Sequence, residues 1–347
     1  PALQADRAAG QGGTGEGLMF ERSKATLLFT LAVIFAASRF SGHIGPYYYD
    51  IILSIGINII LATSLNLVNG YTGQFSLGHA GFMSVGAYAA ASFTTYGLPV
   101  LALLKPLGAF LSVSIFFGIA LFLGGLAAAI AGLLVGIPSL RLKGDYLAIV
   151  TLGFGEIIKV IIENVDTLGG ARGLSVDGHY TNLFWVFAMA ALTIYVVLNL
   201  VNSTYGRGFL TVRDDEIAAE AMGINTTKYK VLAFTVAAGF AGVAGGLYAH
   251  DKQFITADGF SFLKSIDIVT MVILGGMGST WGVVLAATLL TILPEWLRSV
   301  ADSPLLPHWL GGLLANRMIP YSLLLIILML TRPQGLFGGI NLKRKKA

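Results

Sequence analysis

Glu156, Lys159 and Glu163 stand at i, i+3 and i+7, so a helix would align them in one acidic-basic-acidic strip. Such a strip could serve a pathway or gating network, or be a structural ion pair that neutralises itself. A second constellation, NLVNGYTGQFSLGHAGFMSVGAYAAA at 66–91, sets Asn66, Asn69, Gln74, Ser76 and His79 among apolar and glycine residues. Amide, hydroxyl and imidazole groups can orient a polar solute or satisfy opened backbone. A third, STYGRGFLTVRDDEIAAEAMGINTTKYK at 203–230, is the longest polar stretch between apolar runs. None of the three is a hydrolytic or phosphate-binding site, since H-E-x-x-H, G-x-S-x-G and the G-x-x-x-x-G-K-[ST] loop are all missing from the sequence. With no cysteine, thiolate catalysis and Cys-ligated metals are excluded. His79 and His250 have no second ligand at metal spacing, so no metal site is expected.

The elements that position these groups must be solvated by lipid. Only 12% of residues are charged and 55% are apolar, too few polar groups to clothe a water-soluble fold of 347 residues. Apolar runs near the roughly 20 residues that span a bilayer recur from end to end. An all-α polytopic transmembrane bundle follows, because the short alternating strands of a membrane β-barrel do not occur. The 44 glycines suit close helix contacts and helices broken inside the protein. A net charge of +4 gathers in loops and at the C-terminus, where topology accounts for it without nucleic acid.

Residues 1–18 form a polar, glycine-rich lead, expected to be disordered or extraneous, and 19–347 form one membrane domain. Spans are expected near 25–40, 50–68, 78–96, 107–137, 146–164, 181–202 and 231–250. The run 265–297 holds two more, interrupted by LGGMGSTWG, and the last lies at 317–330, giving about ten with broken or re-entrant segments. Ala36-Ala37-Ser38 resembles a signal-peptidase site, but the many later spans favour an uncleaved first helix. Placing the N-terminus inside puts Arg141, Lys143, Arg207, Arg213, Lys228, Lys230 and Lys343 to Lys346 on the cytoplasmic side. Arg172, Lys252, Lys264 and Arg298 fall outside; the full ratio is about two to one and favours both termini cytoplasmic.

Within the 203–230 loop a short helix is expected from Asp214 to Met222. Asp214, Asp215 and Glu216 open it where the helix dipole favours negative charge, and Gly223 closes it in a left-handed cap. Ala218, Ala219 and Ala221, with Glu220 among them, would present a smooth face to a groove on a partner protein. A solvated connector is the alternative. For the 66–91 segment, Asn66, Gln74, Ser76 and His79 are expected to face a subunit interface or a translocation cavity rather than lipid. Gly and Ser serving close packing is the alternative there. Asp267 and Glu295 are expected near the interface, and Trp185, Trp281, Trp296 and Trp309 as packing or interface anchors.

RDDEIAAEAMGIN resembles the EAA-type loop of ABC importer permeases, which seats in the nucleotide-binding subunit. NLVNGYTGQFSLGHAGFMSVGAYAAA is similar to the corresponding segment of branched-chain amino-acid permeases of the M type. The likeness continues in SLRLKGDYLAIVTLGFGEIIKVIIEN at 139–164, FTVAAGFAGVAGGLYAH at 234–250 and SIDIVTMVILGGMGSTWG at 265–282, and covers most of 45–340. It implies a type II-like importer bundle in a bacterial inner membrane. It also implies a homologous H-type permease, two ABC ATPases that carry ATP and Mg, and an extracytoplasmic amino-acid binding protein. No cofactor is expected on this chain. The implied cargo is a branched-chain amino acid; urea or another neutral amino acid, or an ion-coupled secondary transporter, are the alternatives.

Overall fold

The computed structural model describes residues 27–36, 38, 44–97, 108–139, 144–176 and 178–301, with isolated positions at 322–323, 326–327, 330–331 and 335–336. The 1–18 lead, Trp309, the basic C-terminal cluster and most of the 317–330 span lie outside the described residues. The apolar runs fold as helices. They are α1 (Leu27–Ala36), α2 (Pro46–Asn66), α3 (His79–Tyr96), α4 (Ala109–Ser139), α5 (Asp145–Glu163) and α6 (Leu183–Asn202). After them come α7 (Thr204–Asp214), α8 (Glu216–Ala221), α9 (Thr226–Lys252), α10 (Phe262–Gly275) and α11 (Thr280–Ala301).

Local chemistry sets several of these ends. Pro46 opens α2, where a missing N–H costs nothing. The Asn182 side chain accepts from the Trp185 N–H at 3.0 Å to start α6, and Asn225 accepts from Lys228 at 3.0 Å to start α9. Length and hydropathy mark five described helices as able to cross a membrane: Pro46–Tyr71, Leu111–Ser139, Leu183–Asn202, Thr226–Lys252 and Thr280–Ser299. Against the ten spans expected, α10 has 14 residues. At 1.5 Å per residue that reaches about 21 Å, short of a hydrocarbon core of about 30 Å. It is half of a broken pair with α11, as the LGGMGSTWG interruption predicts.

The centre of the bundle is α9 packed on α3 and α4. Their axes come together because glycines meet there. A Cβ on Gly86 of α3 would collide with the backbone of Gly242 in α9, and one on Gly124 of α4 would lie 2.8 Å from the Gly86 carbonyl oxygen. Around this contact Phe82, Met83, Tyr88, Phe117, Leu121 and Leu247 are buried.

The helices sort chemistry to two ends. At one, β1 (Leu174–Ser175) pairs antiparallel with β2 (Phe254–Ile255), and Lys252 pairs with Asp50. At the other, the turn after α2, the turn between α10 and α11, and the α7–α8 loop converge. The first end is the one assigned outside by charge counting, and the second is the one assigned inside.

Candidate functional site

The loop helix starts later than expected. Asp214 ends α7, and Asp215 is extended, with φ −158° and ψ 108°. The Asp215 carboxylate accepts from the N–H groups of Ile217 at 2.9 Å and Ala218 at 3.0 Å, which makes it the N-cap of α8. At the other end the Ile224 N–H donates to the Ala219 carbonyl at 3.0 Å and the Gly223 N–H to that of Glu220 at 2.9 Å. Those two bonds, with Gly223 at φ +81°, are a Schellman cap.

Both carboxylates of α8 are bonded to α9. Glu216 pairs with Lys230 at 2.6 Å, and the lysine side chain is only 7% exposed. Thr226 donates to Glu220 at 2.8 Å. Both contacts bind α8 to the first two turns of α9. Ala219 corrects the expected smooth alanine face, because it is fully buried within the chain. A helix lying on α9 must turn one of its small residues inward to approach closely. What remains outward is Ala218, Ala221, the exposed side of Glu220 and two large apolar side chains, Ile217 at 74% exposure and Met222 at 82%. Lone exposed apolar residues are ordinary. Two flanking a capped, braced turn form a rigid apolar tip. Sequence reasoning passed over both because they sit among acidic residues.

The 66–91 segment breaks where its glycines allow it. α2 runs into a π-turn at Leu67–Tyr71, the chain stays irregular through Gly78, and α3 begins at His79. Asn66, Gln74, Ser76 and His79 are set inside the chain in this conformation. All four are buried within the chain, at 5% exposure or less. Of these, Asn66 closes backbone left open by a break, and His79 bonds the Ser64 hydroxyl. The Asn69 side-chain oxygen accepts from the Ser76 N–H at 3.2 Å, and His79 Nε2 meets the Ser64 hydroxyl at 3.0 Å. Thr151 on α5 accepts from the Leu77 N–H at 3.1 Å. The Asn66 oxygen reaches further and accepts from the N–H of Gly278 at 2.9 Å. Gly278 belongs to the break between α10 and α11, and the Tyr71 hydroxyl meets that of Thr280 at 2.8 Å. The two broken segments therefore pack against each other.

Other candidates settle into structural positions. Lys159 finds its close partner outside the expected strip: Asp258 stands 2.6 Å away and Glu163 3.8 Å. This ties α5 to the 257–260 turn. With Asp258 exposed, such a pair contributes about 1 kcal/mol or less. His250 is buried against Phe117, bonded to Thr94 at 2.9 Å and to the Gly246 carbonyl at 2.7 Å. Among the described residues no cluster of His, Asp and Glu could hold a metal. Trp185 packs edge-on against Phe117, whereas Trp281 and Trp296 are exposed on α11. Glu295 accepts from the Tyr47 hydroxyl at 2.6 Å, and Asp267 is exposed on α10. An open cavity of about 490 Å³ lies among α1, α2, α6 and Trp281, bordered by Ile34, Ile59 and Ile194. It has no charged wall to meet an amino acid's ammonium or carboxylate.

Residues 47–330 match the family model described as the branched-chain amino acid transport system / permease component. The chain belongs to that family. The matched stretch takes in the loop helix, both breaks and the helices from α2 onward, so this permease carries the family pattern through its whole described core. It is 33% identical over 344 residues to the high-affinity branched-chain amino acid transport system permease protein LivM of Salmonella typhimurium, covering 89% of this chain and 74% of that protein. The LivM of Escherichia coli gives the same identity and coverage. A probable LivM of Methanocaldococcus jannaschii is 26% identical, with 82% of this chain and 92% of the relative covered.

Proposed function

We propose that this permease carries branched-chain amino acids inward as the membrane subunit of an ABC importer, driven by ATP hydrolysed on separate ATPase subunits. The observation that carries this reading is α8: a capped helix with its charges bonded to α9 and Ile217 and Met222 left exposed. A helix held so firmly can move only together with α9, which suits transmission of force. The alternating-access step would then be a shift of population between two packings of the bundle, with energy entering as differential affinity for ATP and for the loaded binding protein.

A homologous H-type permease would complete the translocation path in a type II-like assembly, two ATPases would hold ATP and Mg, and an extracytoplasmic binding protein would deliver cargo. This chain would bind no cofactor itself. The bilayer would be a bacterial inner membrane, with both termini and α8 on the cytoplasmic side. The 33% identity to two LivM proteins supports the choice of cargo.

Ile217→Asp and Met222→Asp test the docking role. Both side chains are exposed, so neither variant should shift the unfolding midpoint of the isolated chain. Co-purification of the ATPase subunits should fall about tenfold, as for loss of an apolar anchor at an interface. Undiminished association in both variants would leave α8 as a connector and remove this reading.

A further inference from the structure

We propose that Arg213 is the positioning residue that joins the loop helix to both glycine breaks, so that movement of α8 with α9 is passed to the breaks before α3 and α11 through this side chain. This rests on the coupling role given above to α8. Arg213 lies in the last turn of α7, just before the chain bends at Asp215 to enter α8. Its Nε and Nη2 both donate to one oxygen of Asp214, at 3.0 Å and 2.9 Å. That grip fixes the plane of the guanidinium and leaves Nη1 directed elsewhere.

Stem and head then touch different breaks. A Cβ on Gly73 would lie 2.9 Å from Arg213 Cγ and 3.4 Å from its Cα, so the aliphatic stem lies directly on the first break. A Cβ on Gly278 would lie 3.4 Å from Nη1, so the head group rests on the second. Both glycines have left-handed backbones, φ +68° and +84°, which other residues adopt at a cost. Their sequence separation hides a contact that only the fold creates. The two breaks are already joined by the Asn66 to Gly278 hydrogen bond, and a Cβ on Gly70 would collide with the Gly278 nitrogen. Immediately beyond them begin α3 at His79 and α11 at Thr280. Behind Arg213, α7 is anchored by the buried Phe209 packed with Leu67, Tyr71, Val197 and Ala233.

The layer beneath Arg213 holds hydrogen-bonding capacity that this packing leaves unspent. The side-chain nitrogens of Asn66 and Asn69, both amide atoms of Gln74 and the Ser76 hydroxyl are buried without a partner in the chain. Groups of that kind disfavour the arrangement that strands them and favour any other that pairs them. A polar layer of this sort is suited to having two packings, and Arg213 is placed to choose between them.

The chain has no cysteine of its own, so an introduced one is a unique reporter within it. Met277, 55% exposed in the second break, is the site: Met277→Cys is placed in the otherwise wild-type permease and in Arg213→Ala and Arg213→Lys backgrounds. Each is assembled with the partner permease and ATPases in liposomes, and the rate of maleimide alkylation is measured with and without ATP under vanadate. In the wild-type background, ATP should change the rate about tenfold, a size typical of coupling between two sites. Arg213→Ala should abolish that response while the ATPases still co-purify. Arg213→Lys, which keeps the stem over Gly73 but loses the planar fork, should retain part of it. Gly73→Ala, which pushes on the stem, should reproduce the alanine result with Arg213 intact. A full ATP response in Arg213→Ala would overturn the proposal. Failure of the wild-type chain to retain ATPases at all would instead overturn the docking role of α8, and is read in the same preparation.

Discussion

The Glu216 carboxylate stands 2.6 Å from the Lys230 ammonium, and this pair fixes the loop helix to the second turn of α9. The two partners are not equally dispensable. Lys230 has a side chain 7% exposed against 23% for Glu216, so removing the glutamate strands a nearly buried cation, whereas removing the lysine leaves a carboxylate that water can reach. Glu216→Ala should therefore cost about 3 kcal/mol, as for a broken buried pair, and Lys230→Met about 1 kcal/mol or less. Thermal unfolding in detergent checks the order. Equal shifts for the two variants would show that burial does not govern the pair.

Gly223 should tolerate Asn better than Val. No heavy atom lies within 4 Å of the position a Cβ would take, so any loss comes from the φ of +81° and not from crowding. Val there should cost about 1 to 2 kcal/mol and Asn a fraction of that. The readout is the rate of limited proteolysis within 217–224, which should rise several-fold for Val as the Schellman cap opens. Identical rates for the two variants would mean the cap does not depend on left-handed backbone.

Two glycine-to-alanine changes should have opposite signs. Gly86→Ala places a methyl group on the backbone of Gly242 and forces α3 away from α9, an overpacking that costs about 1 to 3 kcal/mol. Gly153→Ala in α5 meets no atom within 4 Å and should stabilise by about 0.5 to 1 kcal/mol through helix propensity. Unfolding midpoints that move in the same direction would contradict the packing described for α3, α4 and α9.

Much of this was legible in the sequence, in a way that follows from its physics. Apolar length located α2 to α6 and α9 to α11, because lipid demands it, whereas α7 in the polar loop went unpredicted. Gly and Ser clustering located both breaks, and the polar loop with its closing Gly223 located α8. Contacts that depend on which helix faces which were not legible. Ala219 turns inward because α8 lies against α9, and Lys159 takes Asp258 because the 257–260 turn folds over α5. The inward-facing Asn66 pairs with Gly278 far along the chain, a contact that no local pattern marks. The opening residue of α8 moved from Asp214 to Glu216 since a carboxylate that caps must stay outside the helix it starts.

Uptake of labelled leucine tests the central claim most directly. Liposomes would contain this chain with its partner permease and ATPases, supplied with loaded binding protein outside and ATP inside. Accumulation should require ATP, should be competed by isoleucine and valine, and should not be supported by a proton or sodium gradient alone. Leucine uptake by the lone chain on an ion gradient, or ATP-driven uptake of urea without leucine, would contradict the account.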